Sequence, residues 1–172
     1  MIQPVLETER LRLRPLDNAD TALIALYAGD QRVARMTRSI PHPLPPGATE
    51  AFIARVLSGA AKETVWAMDH KGSRGGELVG LIGLQDDGEI GYWVGAPFWE
   101  TGFATEAVGA VVTHALSAGD HDLLRAEVFQ DNPASARVLT KAGFVYTGEG
   151  RAHATARDAE VSVWCYELAR RP

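Results

Sequence analysis

The sequence predicts an α+β fold, a mixed and mostly antiparallel sheet flanked by helices, on three observations. Apolar residues in the middle of the chain fall in short runs separated by turn residues, the pattern of consecutive hairpins. Two later segments read as helices, the first from apolar residues every three or four positions with a glycine stop, the second from capping residues at both ends. The first of these helices separates two strand-like runs, and a helical crossover makes the strands it joins parallel.

Taken in order, Leu11, Leu13 and then Leu16 interleave with Arg12 and Arg14 as a half-buried strand. Asp17 caps a helix carrying Leu23, Ile24, Leu26 and Tyr27, which Gly29 stops. Residues 38–47 form a proline-laden loop, expected to line or cover a cleft, before a short helix with Phe52, Ile53, Val56 and Leu57. Residues 64–68 read as a strand, 71–76 turn, 78–84 return, Asp86-Asp87-Gly88 turn again, and 89–94 form the next strand. A helix then carries Ala107, Val108, Val111, Val112, Ala115 and Leu116, with Gly119 as its stop. Residues 123–129 make the strand parallel to 89–94, and 144–146 and 161–168 supply two closing strands.

At 172 residues and 46% hydrophobic content the chain is long enough to bury a substantial core, and one domain over residues 1–172 is expected. Seventeen basic against 22 acidic residues leave a net charge of −5, with no basic run to track a nucleic-acid backbone. No apolar stretch approaches the roughly 20 residues that span a bilayer, and the first residues lack the pattern of a signal peptide. The lone Cys165 cannot form an internal disulfide, so a reducing cytoplasm is the expected compartment and a packed thiol its expected role. His42, His70, His114, His121 and His153 have no metal-ligand spacing, so no metal is expected; most are expected to face solvent.

Two segments carry chemistry. From Trp99 to Ala107 a turn runs into a helix beside the side-chain-free Gly102, and the backbone N–H groups of Thr101, Gly102, Phe103, Ala104 and Thr105 gather at the positive end of the helix. Such an end accepts a pyrophosphate without Lys or Arg; Gly102 ending a loop before a core helix is the alternative. Thirty residues on, Asn132 is a good N-cap, Pro133 fits the first helical position, and Gly143 suits the left-handed residue after the last turn.

Together these segments resemble the GNAT (Gcn5-related N-acetyltransferase) superfamily, whose phosphate loop reads Gln/Arg-x-x-Gly-x-Gly/Ala and whose next helix reads Asn-x-x-Ser/Ala ending in Gly-Phe. Gly102 and Ala104 match the loop; Asn132, Ser135, Gly143 and Phe144 match the helix. Gly91-Tyr92-Trp93-Val94 before the loop, the Ala-Thr-Glu-Ala run through it and the opening Leu6-Glu7-Thr8-Glu9-Arg10-Leu11-Arg12-Leu13-Arg14 are similar to the branch containing the ribosomal-protein N-terminal acetyltransferases. The resemblance covers nearly the whole chain. It departs in two places: Glu100 stands where a glycine is usual, and Leu139 stands where many relatives have a tyrosine that protonates the departing thiolate.

The resemblance implies acetyl-CoA as co-substrate, a splay between the two central parallel strands, and an amine acceptor that is a protein N-terminus or a small molecule. It further implies that backbone groups of Tyr92, Trp93 and Val94 pair with pantetheine, that Gly102 to Thr105 hold the pyrophosphate, and that Asn132 and Ser135 contact the pantetheine arm. Direct attack needs a base for the amine proton and a donor near the sulfur; Glu89 and Ser135 are the candidates. Arg157 and Glu160, before the last strand, are either acceptor readers or solvated loop. Trp66, Tyr92 and Trp93 are either an aromatic wall or core. Neither nucleic acid nor membrane is an expected partner; oligomeric state has no motif of its own, and a homodimer is compatible with the chain. A non-catalytic acyl-CoA-binding module is the main alternative, and a dinucleotide oxidoreductase reading of Gly102-x-Ala104-x-x-Ala107 lacks the strand that should lead directly into that fingerprint.

Overall fold

Seven consecutive buried residues make β4 (Glu77–Gln85) the middle of the molecule, an apolar run covered on both faces. In the computed structural model, which describes residues 2–72 and 76–172, β4 lies in a five-stranded antiparallel sheet ordered β1 (Leu6–Glu7), β2 (Leu11–Pro15), β3 (Glu63–His70), β4, β5 (Ile90–Val94). The turn expected over 71–76 lies partly outside the described residues. A second, three-stranded sheet is ordered β6 (Leu123–Phe129), β8 (Ala159–Ala169), β7 (Val145–Ala154).

The sheets meet at one point. Glu89 pairs in parallel with Arg125, and Arg125 N–H donates to Gly88 O at 3.0 Å. Beyond this bridge β5 and β6 are not paired, so the expected α+β fold with its splay between two central parallel strands is present.

Helices cover both faces of the larger sheet. α4 (Phe103–Ser117) buries Ala107, Val108, Val111 and Ala115, the stripe expected from its periodicity, against Leu11, Leu13, Trp66 and Ile82. On the other face α1 (Thr21–Ala28) and α3 (Ala48–Leu57) pack Ile24, Tyr27 and Ile53 on Val65, Leu78 and Leu81. Asp17 caps the 3₁₀ turn at Asn18–Asp20 that leads into α1, not α1 itself: its carboxylate accepts from Ala19 N–H in a capping box closed by Asp20. α5 (Pro133–Lys141) buries Leu139 completely, so this residue holds the helix to the core and its side chain does not reach the cleft.

Three elements exceed the expectation. α2 (Gln31–Ala34), capped by Asp30, is too short to show a period. The closing strands are 10 and 11 residues long because Gly148, Gly150 and the polar Thr147, Glu149, Arg151 and His153 that alternate with them and with alanine belong to a hairpin with one exposed face, not to a loop. Glu160 therefore lies within β8, exposed beside His153 at 3.7 Å, and not in a loop before the last strand.

Candidate active site

After β5 a 3₁₀ turn at Ala96–Phe98 and a short bend deliver the chain into α4. The bend uses two left-handed residues, Glu100 at φ +62° and Gly102 at φ +84°. Gly102 adopts this without strain, and a Cβ there would lie 3.1 Å from the Arg10 guanidinium. Glu100 adopts it at a cost of about 1 kcal/mol or more, the physical reason a glycine suits this position; its side chain is exposed. The first helical bond runs from Glu106 N–H to Gly102 O at 3.1 Å, so the N–H groups of Phe103, Ala104 and Thr105 precede the helical ladder.

Arg10 braces this bend, a role the sequence did not disclose. Its guanidinium donates to Thr101 O at 2.8 Å and to Glu106 Oε2 at 2.8 Å, and lies 4.7 Å from the centre of the Phe103 ring. Thr8 Oγ1 and Arg10 N–H both donate to Glu106 Oε1, at 2.6 and 2.7 Å. Burial would raise the Glu106 carboxyl, but these donors outweigh it and hold the group below the usual carboxylate range.

Along the cleft, pairing decides which groups of β5 face inward. Glu89 O accepts from Gln85 N–H and Gly95 N–H donates to Val79 O. Alternation then turns the main chain of Gly91 and Trp93 to β4, and that of Ile90, Tyr92 and Val94 to the splay. Trp93 thus presents its ring, not its amide, to the cavity. Val94 O already accepts from Trp99 Nε1 at 2.8 Å.

α5 forms the opposite wall. Asn132 caps it by accepting from Ser135 N–H at 3.4 Å. Ser135 Oγ lies 2.6 Å from the Tyr92 hydroxyl, which also sits 3.2 Å from Ser135 O. Burial pushes the Tyr92 phenol up to about 12. Sequence alternation placed Tyr92 on the face opposite Trp93; nothing local placed Ser135 before it.

Glu89 faces the cavity at the point where the strands separate. Its carboxylate is 19% exposed and ion-paired with Arg38, which also reaches Glu127 at 3.4 Å. Arg38 opens the proline-laden loop, and Ile40, Pro41 and Leu44 of that loop line the same cavity, as expected. Glu63 lines the same cavity, its carboxyl raised by burial against the pull of Arg55. All the candidate site residues from Glu89 to Ser135 line one cavity of about 1400 Å³, larger than the ~1,000 Å³ upper end for a single small ligand. Arg137 and Lys141, exposed on α5, line the same cavity.

Position decides the remaining readings. Trp66 is fully buried, its indole donating to Pro4 O at 2.9 Å, so it is core and not part of an aromatic wall. Arg157 is neither acceptor reader nor solvated: it pairs with Asp131 at 2.7 Å, donates to Arg35 O at 2.7 Å and lies over the Phe129 ring. Only His42 and His153 are exposed; His70, His114 and His121 are half-buried, His114 edge-on to Trp66. Among the described residues no group of three or more His, Cys, Asp or Glu side chains could hold a metal, and no helix is long and apolar enough to cross a membrane.

Comparison with known proteins agrees with this geometry. Residues 10–145 match the family model of the acetyltransferase (GNAT) domain. The chain is 32% identical over 157 residues to the uncharacterized N-acetyltransferase YoaA of Bacillus subtilis (strain 168), covering 84% of this chain and 85% of that one. Its fold matches that of RimL, the ribosomal L7/L12 alpha-N-protein acetyltransferase in complex with coenzyme A, with a TM-score of 0.83 at 15% identity over 96% of this chain and 98% of that chain. It also matches spermidine N-acetyltransferase from Vibrio cholerae in complex with CoA and spermine, with a TM-score of 0.78 at 15% identity over 95% and 97%. The chain belongs to the GNAT acetyltransferase family.

Proposed function

We propose that this GNAT acetyltransferase moves an acetyl group from acetyl-CoA to a primary amine by direct attack in a ternary complex. One observation carries the reading: a single cavity joins a helix N-terminus, the free edge of a splayed strand, a pair of hydroxyls and a carboxylate. The pyrophosphate sits at the turn from Gly102 to Thr105, where N–H groups lack helical partners. Pantetheine lies along the inward groups of Tyr92 and Val94 like an added strand, against Asn132. The amine enters from the side of Arg38 and Trp93 and attacks the thioester carbonyl, whose developing charge a β5 N–H receives. Glu89 takes the amine proton, directly or through water, once Arg38 releases its carboxylate. Ser135 meets the sulfur.

The acceptor is a protein N-terminus or a small amine; RimL and spermidine N-acetyltransferase, which share the fold, are named for one of each. The buried Leu139 and the Arg38-bound Glu89 favour a second reading, an acyl-CoA-binding module without turnover. A thiol-release assay with acetyl-CoA across peptide N-termini, amino acids, polyamines and aminoglycosides separates the two. Release with one acceptor class supports the enzyme and names its substrate; binding of acetyl-CoA with no release on any amine supports the module. Failure of acetyl-CoA to bind removes both.

A further inference from the structure

The position where many relatives place a tyrosine acid is Leu139, which is wholly buried and reaches nothing in the cleft. A tyrosine hydroxyl nevertheless stands at Ser135, and it comes from the other wall. Tyr92 on β5 reaches across the mouth of the splay to Ser135 on α5, Oη to Oγ 2.6 Å. Among the described residues this is the contact that Ser135 Oγ makes.

We propose that Tyr92 is a positioning residue that donates to Ser135 Oγ and thereby turns the serine's own O–H toward the sulfur of departing coenzyme A; this rests on the acetyl-transfer reading above. The direction follows from what each group offers. Both acceptors within reach of the phenol belong to Ser135, Oγ at 2.6 Å and the carbonyl at 3.2 Å, so its proton goes to the serine, by the shorter path to Oγ. A serine hydroxyl that receives this proton still has its own to give, and the cavity is the open direction.

The pair acts by hydrogen bonding and keeps its protons. The Tyr92 phenol, at about 12, lies well above an ordinary thiol near ~8.5, so proton transfer to the thiolate is unfavourable by roughly three powers of ten. The bonds therefore balance without an acid. The amine nitrogen forms the new C–N bond, and its proton passes to Glu89 or water. The C–S bond breaks with its electron pair on sulfur, which leaves as a thiolate held by Ser135 O–H.

The test needs no acceptor. Coenzyme A is bound to the protein and the ultraviolet absorbance of its thiolate is followed against pH, with desulfo-CoA as the blank. The bound thiol is expected below that of free coenzyme A titrated alongside in the wild type and about one unit higher in Tyr92→Phe, which keeps the ring and loses only the hydroxyl. Ser135→Ala is expected to raise it at least as far, and Tyr92→Phe to add nothing in that background. With any acceptor that supports thiol release, Tyr92→Phe should lower kcat about tenfold and leave the KM for acetyl-CoA unchanged. An unmoved thiol in Tyr92→Phe, an unmoved thiol in Ser135→Ala, or additive shifts in the double variant each overturn the proposal while coenzyme A binding stands. A wild-type protein that does not bind coenzyme A fails the acetyl-transfer reading instead, and the proposal with it.

Discussion

The two ends of the cavity are built from different materials. The end proposed for pyrophosphate consists of main-chain N–H groups whose direction follows from one bend and one helix start, Gly102 to Thr105. The end proposed for the amine consists of side chains drawn from separate elements: Arg38 from the loop after α2, Glu89 from the edge of β5, Glu127 from β6 and Glu63 from β3. A site made of backbone tolerates side-chain change but not a change of backbone shape or of the space beside it. A site made of charged side chains is the reverse, because each group is set by its partner. Arg38, shared between two carboxylates, sits at the centre of that arrangement.

The largest effect should come from filling the backbone end. Gly102→Glu puts a Cβ into a left-handed position near Arg10 and a carboxylate where pyrophosphate is expected. Titration calorimetry should show acetyl-CoA affinity down by at least about a hundredfold, since a strained backbone and an opposed charge act together. Gly102→Ala, which adds strain without charge, should lose less. Unchanged affinity in a folded Gly102→Glu protein would remove the phosphate assignment.

A change at the side-chain end should separate from this cleanly. Glu89→Gln is expected to lower kcat about a hundredfold, most at low pH where amine deprotonation limits, while acetyl-CoA affinity stays at the wild-type value. A variant that keeps its rate on a verified acceptor moves the base elsewhere.

The brace under the phosphate turn sharpens the comparison from the stability side. Glu106→Gln leaves the Arg10 guanidinium and two further donors without their anion, and should cost about 2 kcal/mol. Because the folded carboxyl is held below its unfolded value, its contribution is full above the unfolded pKa and fades as pH falls through the folded one. Melting temperatures of the two proteins should therefore converge in acid and separate toward neutral pH; a constant gap would show that shape, not charge, holds the turn.

Glu100→Gly should have the smallest effect. It removes left-handed strain and an exposed charge beside the expected pyrophosphate, against the greater chain entropy of glycine. A net gain of at most about 1 kcal/mol in thermal unfolding is expected, with acetyl-CoA binding tighter by a few-fold. Weaker binding would show that the Glu100 side chain contributes to the turn.

What the sequence alone determined about this protein is whatever acts within a turn or two of chain. Asn132 and Pro133 start α5, Gly102 starts α4, and the apolar stripe of α4 reads directly as its buried face. Such effects depend on neighbours three or four residues apart, so the turn from Gly102 into α4 was legible, and the alternating strands made the α+β fold legible with it. The limits are equally physical. The outer half of the β7–β8 hairpin has one face in water and glycines along it, and so shows no hydrophobic period.

Only the tertiary structure decided the rest. Arg10 and Glu106 are 96 residues apart, Tyr92 and Ser135 43, Arg38 and Glu127 89. Each pair exists because the two sheets part beyond the Glu89–Arg125 bridge and because α4 packs across the larger one. A hydrogen bond requires its atoms within about 3 Å, and no local preference of either segment specifies where the other one lies.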